Sequence, residues 1–338
     1  MAKKITTLQM KEGKPFRILQ LTDIHLGGSV WTKKSDKLSL DAVALLIETA
    51  KPDFIAVTGD VAYPLFFWPA PIFGCSINNR KTSKKLTDLI ESYNIPWAFV
   101  FGNHDCETWS SYNKDEMADF YESLPNCVFQ KGEYKGSDRG NYSIKLLNPD
   151  GSINNLLMFI DSNAYLTKYF TSGFDTIHDD QIEWYKNTII KNSPEGAVCP
   201  SLAFFHIPPK EFKDAFEKFY RGDKDVTYHC GFVQEKDNYF GYPKTVEGKF
   251  FEEMVKFGSC KGMFFGHDHL NTISLTYKGI QLTYGMSIDY LAYLKIKKKH
   301  QQRGGTIIEI NPDSSFNVSL LPLEDIQGIS YYKTKMDN

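Results

Sequence analysis

The sequence predicts an α/β protein built from two packed, mixed β-sheets flanked by helices. Through the first part of the chain, apolar runs of strand length alternate with segments whose apolar residues recur at helical spacing. From residue 272 onward, strand-like runs dominate. This order is typical of sheets that carry helices on their faces, with further strands added by the β-rich end.

The first half of the chain is expected to form three strands and three helices. The strands are expected at 16–21, 54–58 and 97–101, and the helices at 39–50, 83–93 and 114–123. Ser39 is the expected N-cap of the first helix, and Lys51-Pro52 is expected to end it. The second strand is apolar throughout, which is typical of a strand buried on both faces.

The second half contains more strands and two segments without regular structure. Strands are expected at 142–147, 156–160, 202–205 and 263–265 and from 272 to the C-terminus, with a helix at 179–191. Residues 63–74 are rich in proline and aromatic side chains, which suits a rigid loop or a hydrophobic lid. Residues 207–249 show no clean period, and we expect an insertion packed near the functional site.

No repeat or low-complexity linker marks a domain boundary in the 338 residues. We therefore predict a single domain over 1–338, with a core at about 16–290 and a β-rich C-terminal extension at 291–338. Hydrophobic residues make up 42% of the chain, enough for a large buried core. The six cysteines are scattered, which favours reduced, buried thiols over a disulfide framework.

Charge and hydropathy argue against several classes of partner. The net charge is −2, so no general basic field indicates a nucleic-acid partner. No apolar stretch approaches the roughly 20 residues of a membrane span, and no signal-like apolar region follows the polar start. The expectation is a cytoplasmic protein without a membrane partner.

Five apolar runs end directly in metal-ligand side chains. The segments are LQLTDIHLGG, IAVTGDVAYP, AFVFGNHDCE, LAFFHIPP and MFFGHDHLN. They offer nine candidate side chains: Asp23, His25, Asp60, Asn103, His104, Asp105, His206, His267 and His269. The carboxyl ends of strands are where α/β proteins build their sites. Oxygen and imidazole donors in this number exceed the need of one ion and suit two transition-metal ions.

In order, these segments resemble the motifs of the calcineurin-like metallophosphoesterases. That pattern is D-x-H, G-D, G-N-H-[DE], a lone His after a strand, and G-H-x-H, and the resemblance covers about residues 16–290. The chain looks most similar to the branch grouped with purple acid phosphatase-like proteins that keeps D-x-H. The resemblance implies an αββα sandwich, a hydrolase, and a cofactor of two divalent or trivalent ions of Mn, Fe or Zn.

The resemblance also assigns the ligands. It implies that Asp60 bridges two ions. One ion would be held by Asp23, His25 and His269, and the other by Asn103, His206 and His267. An extended backbone at 267–269 would direct His267 and His269 to neighbouring ions, with Asp268 on the other face. For Asp268, a role behind the ligands, a turn-capping role and a solvated position all stay open.

His104 follows a predicted ligand directly and would lie beside the ions without binding them. We expect it to act as general acid, with Asp105 holding its ring, while metal-activated hydroxide attacks a phosphomonoester. The phosphorylated substrate would be a small molecule or a phosphoprotein.

Two other functions stay open. A phosphodiesterase of the cyclic-nucleotide or nuclease type could use the same site, with 295–299 as the one strong basic cluster. A non-catalytic interaction protein could use the aromatic residues 66–68.

Tyr63 belongs to a G-D-x-x-Y pattern and is an alternative ligand to His25, although we favour His25, with Tyr63 lining the pocket. Asp161, His178, His229 and His300 are expected to have no role in the site.

Overall fold

The computed structural model describes residues 6–64, 74–132, 139–167, 173–243, 248–293 and 303–326. They form two mixed sheets with helices, as predicted. The strands are β1 Thr7–Gln9, β2 Phe16–Leu21, β3 Phe54–Thr58, β4 Trp97–Val100, β5 Tyr142–Leu147, β6 Ile153–Phe159, β7 Ser201–Phe204, β8 Val226–Cys230, β9 Cys260–Phe265, β10 Ser274–Tyr277, β11 Ile280–Tyr284, β12 Gly304–Ile310 and β13 Phe316–Pro322. The helices are α1 Lys33–Ala50, α2 Asn79–Ser92, α3 Lys114–Glu122, α4 Asp179–Asn192, α5 Glu211–Arg221 and α6 Phe250–Phe257.

Alternating side chains of the central strands divide the core into two layers. Leu157 and Phe159 of β6 join the cluster that contains the five-stranded sheet and α1 to α3. Leu156 and Met158 of the same strand join the cluster that contains α4 to α6. This alternation follows from the two-residue period of a strand and gives the order helix, sheet, sheet, helix.

Both sheets contain neighbouring parallel strands. The five-stranded sheet has the order β13-β12-β2-β3-β4, and the eight-stranded sheet has the order β1-β5-β6-β7-β9-β11-β10-β8. Strands β2, β3 and β4 are parallel neighbours, as are β7 and β9. Their carboxyl ends therefore meet at one edge of each sheet, where the predicted ligands follow.

The C-terminal strands are paired within the core. Strand β12 lies between β13 and β2, with Ile308 opposite Ile18. The segment predicted as a C-terminal extension thus completes the five-stranded sheet. Strand β8, from the predicted insertion at 207–249, pairs with β10 at an edge of the other sheet.

One helix start differs from the sequence prediction. Helix α1 begins at Lys33, six residues before the predicted cap Ser39, and the Ser39 hydroxyl donates to the backbone oxygen of Ile24. The prediction of Ser39 as N-cap is therefore wrong, because this serine uses a carbonyl outside its own helix. The helix ends at Ala50 as predicted, with Lys51 in a left-handed conformation.

Some predictions lie outside the described residues. These include most of the predicted lid, with the aromatic residues 66–68, as well as the basic cluster at 295–299 and His300. Within the described ranges, all six cysteines carry free thiols. None of the helices described is both long and apolar enough to cross a membrane.

Candidate metal centre

The predicted ligands come together where the two sheets meet. The five-stranded sheet contributes the residues after β2, β3 and β4, and the eight-stranded sheet contributes those after β7 and β9. Three groups of side chains have donor atoms within 4.8 Å of one another. They are Asp23–His25–His269, His25–Asp60–His104 and Asp60–His206–His267.

Asn103 joins the last of these groups. Its Oδ1 atom lies 3.1 Å from His206 Nε2, and its Nδ2 atom donates to the Tyr165 hydroxyl at 2.9 Å. The structure thus brings all seven predicted ligand side chains into one cluster, in which His267 and His269 are partly exposed and the other five are buried. Their roles as ligands stay predictions, and so does the division between two ions.

Asp60 occupies the centre of the cluster. Its Oδ2 atom lies 3.3 Å from His25 Nε2 and 3.2 Å from His206 Nε2. Its Oδ1 atom accepts the backbone N–H of His104 at 2.9 Å. Burial raises the pKa of Asp60, but the neighbouring His206 and His104 rings outweigh burial and hold that pKa well below its usual range. One carboxylate therefore faces both halves of the predicted ligand set.

Two imidazoles of the same group have pKa values shifted in opposite directions. Burial lowers the pKa of His206, but the Asp60 carboxylate reverses this and raises it to about 10. For His267, burial and the adjacent His206 ring hold the pKa well below its ordinary value. A neutral imidazole is the form that binds a metal ion, and His267 has that form at neutral pH.

The backbone at several predicted ligands is left-handed, which is uncommon outside glycine. Asp23 and His25 each have φ 50°, Asp60 has φ 53° and His267 has φ 79°. Such conformations cost on the order of 1–3 kcal/mol each and concentrate at functional sites. The predicted extended backbone at 267–269 is therefore wrong, since His267 turns out of it. His267 and His269 nevertheless reach different ligand groups, as predicted.

Glycines in the motifs allow close approach of the chain. A Cβ atom at Gly266 would lie 2.0 Å from Thr22 Oγ1 and 2.5 Å from Asp23 Oδ2. A Cβ atom at Gly102 would lie 2.1 Å from Asp60 Oδ1. Any larger residue at either position would displace a predicted ligand, which explains why glycine precedes the ligands in these motifs.

Asp105 has a different function from the predicted one. Its Oδ2 atom accepts the backbone N–H groups of Asp60 and Gly102, and its Oδ1 atom accepts those of Val61 and Ala62. Since both oxygens are occupied by backbone donors, the prediction that Asp105 holds the His104 ring is wrong. Asp105 instead fixes the turn that carries Asp60.

Glu107, which the sequence prediction missed, holds the His104 ring. Its Oε1 atom lies 2.8 Å from His104 Nδ1 and accepts the Tyr165 hydroxyl at 3.2 Å. Burial lowers the pKa of His104, but the charges of Asp60 and Glu107 outweigh burial and raise it overall. The only sequence signal for Glu107 is a carboxylate three residues after the histidine.

Asp289 is a second residue that the sequence prediction missed. Its buried carboxylate lies 3.2 Å from His269 Nδ1 and 3.9 Å from His25 Nδ1. It also accepts three backbone N–H groups, all at 2.7 Å, from Leu291, Ala292 and Tyr293. Carboxylates behind ligand histidines orient the ring for a metal ion. No motif surrounds Asp289, so nothing in the sequence distinguished it.

The remaining polar candidates have other partners. Asp268 is buried, so it is not solvated, and it accepts the backbone N–H of Gly241 and the Tyr284 hydroxyl. It therefore fixes part of the 207–249 segment against the site. The Asp161 carboxylate pairs with Lys114, His178 contacts Asp175, and His229 contacts Thr276.

Tyr63 lies close to the cluster, but its role is still a prediction. Its ring centroid is 5.2 Å from that of His25 and 4.9 Å from that of His104. Burial and the charge of Asp289 raise the pKa of the Tyr63 phenol.

The donor set fits transition-metal ions. Both ring nitrogens of His25 are buried and make no hydrogen bond within the described residues. A buried polar atom without a hydrogen bond costs about 1–3 kcal/mol, and a bound ion would offset this cost. Carboxylates, an amide oxygen and imidazoles together are donors that Mn, Fe and Zn ions accept in proteins.

The chain is similar in sequence to a known family of proteins. The profile of the calcineurin-like phosphoesterase family matches residues 16–271, more than half of the chain. Probable inactive purple acid phosphatase 28 of Arabidopsis thaliana is 29% identical over 85% of this chain and 73% of its own length. Probable inactive purple acid phosphatase 14 of the same plant is 30% identical over 82% of this chain and 71% of its own length. Phosphatase DCR2 of Saccharomyces cerevisiae is 30% identical over 81% of this chain and 48% of its own length.

A solved structure shares the fold. The crystal structure of a dimetal phosphatase from Danio rerio superposes with a TM-score of 0.55, covering 91% of this chain and 96% of that one. The two sequences are 12% identical, so this likeness concerns the fold alone.

Proposed function

This chain belongs to the calcineurin-like phosphoesterase family, and we propose that it is a phosphatase that hydrolyses phosphomonoesters with two metal ions. The observation that carries the proposal is the position of Asp60. Its carboxylate is within 3.3 Å of a histidine from each ligand group, and the predicted acid His104 lies in the same cluster. The substrate is a phosphorylated small molecule or a phosphoprotein.

The chain itself would hold the ions and the substrate between the two sheets. Asp23, His25 and His269 would bind one ion and Asn103, His206 and His267 the other, with Asp60 shared. When bound, the ions would neutralise charge on the phosphoryl oxygens and lower the pKa of a water molecule. Mn, Fe and Zn are all compatible with this donor set.

His104 would supply the proton that the leaving group needs. Glu107 engages Nδ1, which leaves Nε2 as the nitrogen for proton transfer to the leaving oxygen. The neighbouring carboxylates favour the protonated ring, which is the form that can donate. Tyr165 supports the arrangement from behind, since its hydroxyl contacts both Glu107 and Asn103.

The names of the plant relatives make activity itself the first thing to test. Two of them are named probable inactive phosphatases, whereas the yeast relative is named a phosphatase. In this chain the full set of predicted ligands converges, together with His104 and Glu107. A complete donor set supports turnover, because loss of ligands is what removes metal-dependent chemistry.

The direct test is hydrolysis of p-nitrophenyl phosphate by the purified protein. We expect turnover with Mn²⁺, Fe²⁺ or Zn²⁺, and loss of turnover with EDTA. Bis-p-nitrophenyl phosphate is assayed in parallel, and faster turnover of this diester would favour the phosphodiesterase alternative. If no metal supports hydrolysis of either ester, the enzymatic proposal fails and a non-catalytic role gains support.

A further inference from the structure

Arg303 is a buried arginine that the proposed mechanism does not use. It is 1% exposed and directly precedes β12. Its terminal nitrogens Nη1 and Nη2 are buried and make no hydrogen bond within the described residues. A buried cation with unsatisfied donors is costly, and an apolar side chain in its place is often neutral or stabilising. Folding stability alone therefore gives no reason for an arginine at this position.

Two contacts fix the Arg303 guanidinium. Its Nε atom donates to the backbone oxygen of Asp289 at 2.9 Å. Its Cζ atom lies 4.0 Å from the centroid of the Tyr290 ring, a distance at which a cation is attracted to an aromatic face. Asp289 and Tyr290 are both buried and adjacent in the sequence. Arg303 therefore holds the short segment that carries the Asp289 carboxylate.

Asp289 contacts three predicted ligands of a single ion. Its backbone N–H donates to the backbone oxygen of Asp23 at 2.8 Å. Its carboxylate lies 3.2 Å from His269 Nδ1 and 3.9 Å from His25 Nδ1. In the described part of the chain, no hydrogen bond or ion pair joins Asp289 to the predicted ligands of the other ion alone, which are Asn103, His206 and His267. A shift of Asp289 would therefore affect one ion and not the other.

We propose that Arg303 is a positioning residue for the ion of Asp23, His25 and His269, and that it acts through Asp289. The proposal rests on the two-metal site of the proposed phosphatase. By holding the Asp289 backbone, the Arg303 Nε–H keeps the carboxylate at the distance at which it orients the two histidine rings. Carboxylates that orient ligand histidines contribute about 10- to 100-fold to metal affinity.

Two substitutions separate this hydrogen bond from the rest of the side chain. Arg303→Met removes the donor and the charge. In Arg303→Gln, the glutamine Nε2 atom takes the place of the arginine Nε atom, so it can still donate to the Asp289 backbone. Arg17→Met is the matched control, because Arg17 also donates to a backbone oxygen, that of Ala50 at 2.9 Å, but contacts no predicted ligand. If Arg303→Met does not fold, Arg303→Lys replaces it, since lysine has a methylene group where Nε lies.

The measurement is calorimetric titration of Mn²⁺ into each metal-free protein, with bound metal counted by elemental analysis. His269→Ala and His206→Ala each remove a ligand of one group and so identify which binding event belongs to which ion. Denaturant unfolding of the metal-free proteins and hydrolysis of p-nitrophenyl phosphate are measured in parallel.

In Arg303→Met we expect the affinity for the ion of the His269 group to fall about tenfold or more, while the affinity for the other ion stays within about twofold. Arg303→Gln and Arg17→Met should bind both ions as the unaltered protein does. The unfolding midpoint of metal-free Arg303→Met should not fall, because an apolar side chain replaces a buried cation. Selective weakening of one ion in a protein that hydrolyses no ester supports the positioning role while rejecting the phosphatase function.

Three results would overturn the positioning role. The first is unchanged affinity for both ions in Arg303→Met, and the second is equal weakening of both ions, which a merely structural role would produce. The third is equal loss of affinity in Arg303→Gln and Arg303→Met. An unaltered protein that binds no Mn²⁺ would overturn the positioning role and the two-metal function together.

Discussion

The two sheets contribute different chemistry to one site. After its strands, the five-stranded sheet supplies every oxygen donor of the predicted ligand set, together with one imidazole: Asp23, Asp60, Asn103 and His25. The eight-stranded sheet supplies imidazoles alone: His206, His267 and His269. Each predicted ion would therefore have ligands from both sheets. Metal binding would therefore depend on the packing of the two sheets, because neither sheet supplies the whole predicted ligand set of an ion.

Backbone strain is also divided unequally. Three predicted ligands with left-handed backbone, Asp23, His25 and Asp60, follow strands of the five-stranded sheet, whereas His267 is the one such predicted ligand that follows a strand of the eight-stranded sheet. Asp105 offsets this strain with four backbone hydrogen bonds around Asp60. The backbone conformation around Asp60, on the side of the five-stranded sheet, therefore depends on the buried Asp105 carboxylate.

The largest effect is expected for Asp60→Asn, which removes the charge that contacts histidines from both sheets. We expect metal content to fall below two ions and the rate to fall by about 10³-fold or more, since bound ions supply several kcal/mol of transition-state stabilisation. Elemental analysis and p-nitrophenyl phosphate hydrolysis measure both. The control Asp36→Asn changes a buried carboxylate outside the ligand groups and should keep both ions. Full metal content in Asp60→Asn would contradict the shared role.

His104→Ala should separate chemistry from metal binding on the five-stranded side. Both ions should stay bound while kcat for ethyl phosphate falls by about 10²–10⁴-fold, the usual range for acid–base catalysis. The loss should be much smaller for p-nitrophenyl phosphate, whose leaving group barely needs a proton. An equal loss for both esters, or loss of an ion, would show that His104 is not the general acid.

Gly266→Ala tests the contact between the sheets, because its Cβ atom would press on Thr22 and Asp23 of the opposite sheet. We expect metal affinity to fall about 10- to 100-fold and the free energy of unfolding to drop by about 1–3 kcal/mol. Metal titration and denaturant unfolding measure these. Gly279→Ala is the control, because a Cβ atom there meets open space and the backbone has φ 80°. This variant should be less stable but should bind metal with unchanged affinity. Equal metal affinity in the two variants would argue against coupling of packing and binding.

Two variants test whether Glu107, rather than Asp105, holds the His104 ring. Glu107→Gln should lower kcat about tenfold without changing the unfolding midpoint, because the His104 ring loses its charged partner. Asp105→Asn should instead lower the free energy of unfolding by about 1–3 kcal/mol, since an amide nitrogen would face backbone donors. The reverse pattern, with Glu107→Gln silent in kcat, would restore Asp105 as the partner of His104.

The smallest effect is expected for Tyr63→Phe, which alters a ring beside His25 and His104 but no predicted ligand. Activity should stay within about twofold of the unaltered protein, and metal content should not change. The iron-loaded protein should show no charge-transfer band in the green before or after the substitution. A band that disappears in Tyr63→Phe would identify Tyr63 as a ligand in place of His25.

The sequence alone determined the fold class and the position of the site along the chain. Apolar period and length located the strands β2, β3 and β4, because buried parallel strands leave a continuous apolar signature. The side chains that follow these strands were predicted to lie together because carboxyl ends of parallel strands share one edge. Both the apolar runs and the side chains that follow them involve residues close together in the sequence, so the sequence alone is enough to identify them.

Only the tertiary structure decided which side chains contact one another. Asp105 is the neighbour of His104 in sequence, yet it binds the turn after β3, and Glu107 reaches the ring instead. Asp289 contacts His269 from a segment with no motif. Strand β12 pairs with β2 although most of the sequence lies between the two strands. A left-handed residue such as His267 redirects the chain in a way that no two-residue period predicts. Contacts of this kind depend on how the two sheets pack, and that packing is a property of the whole chain.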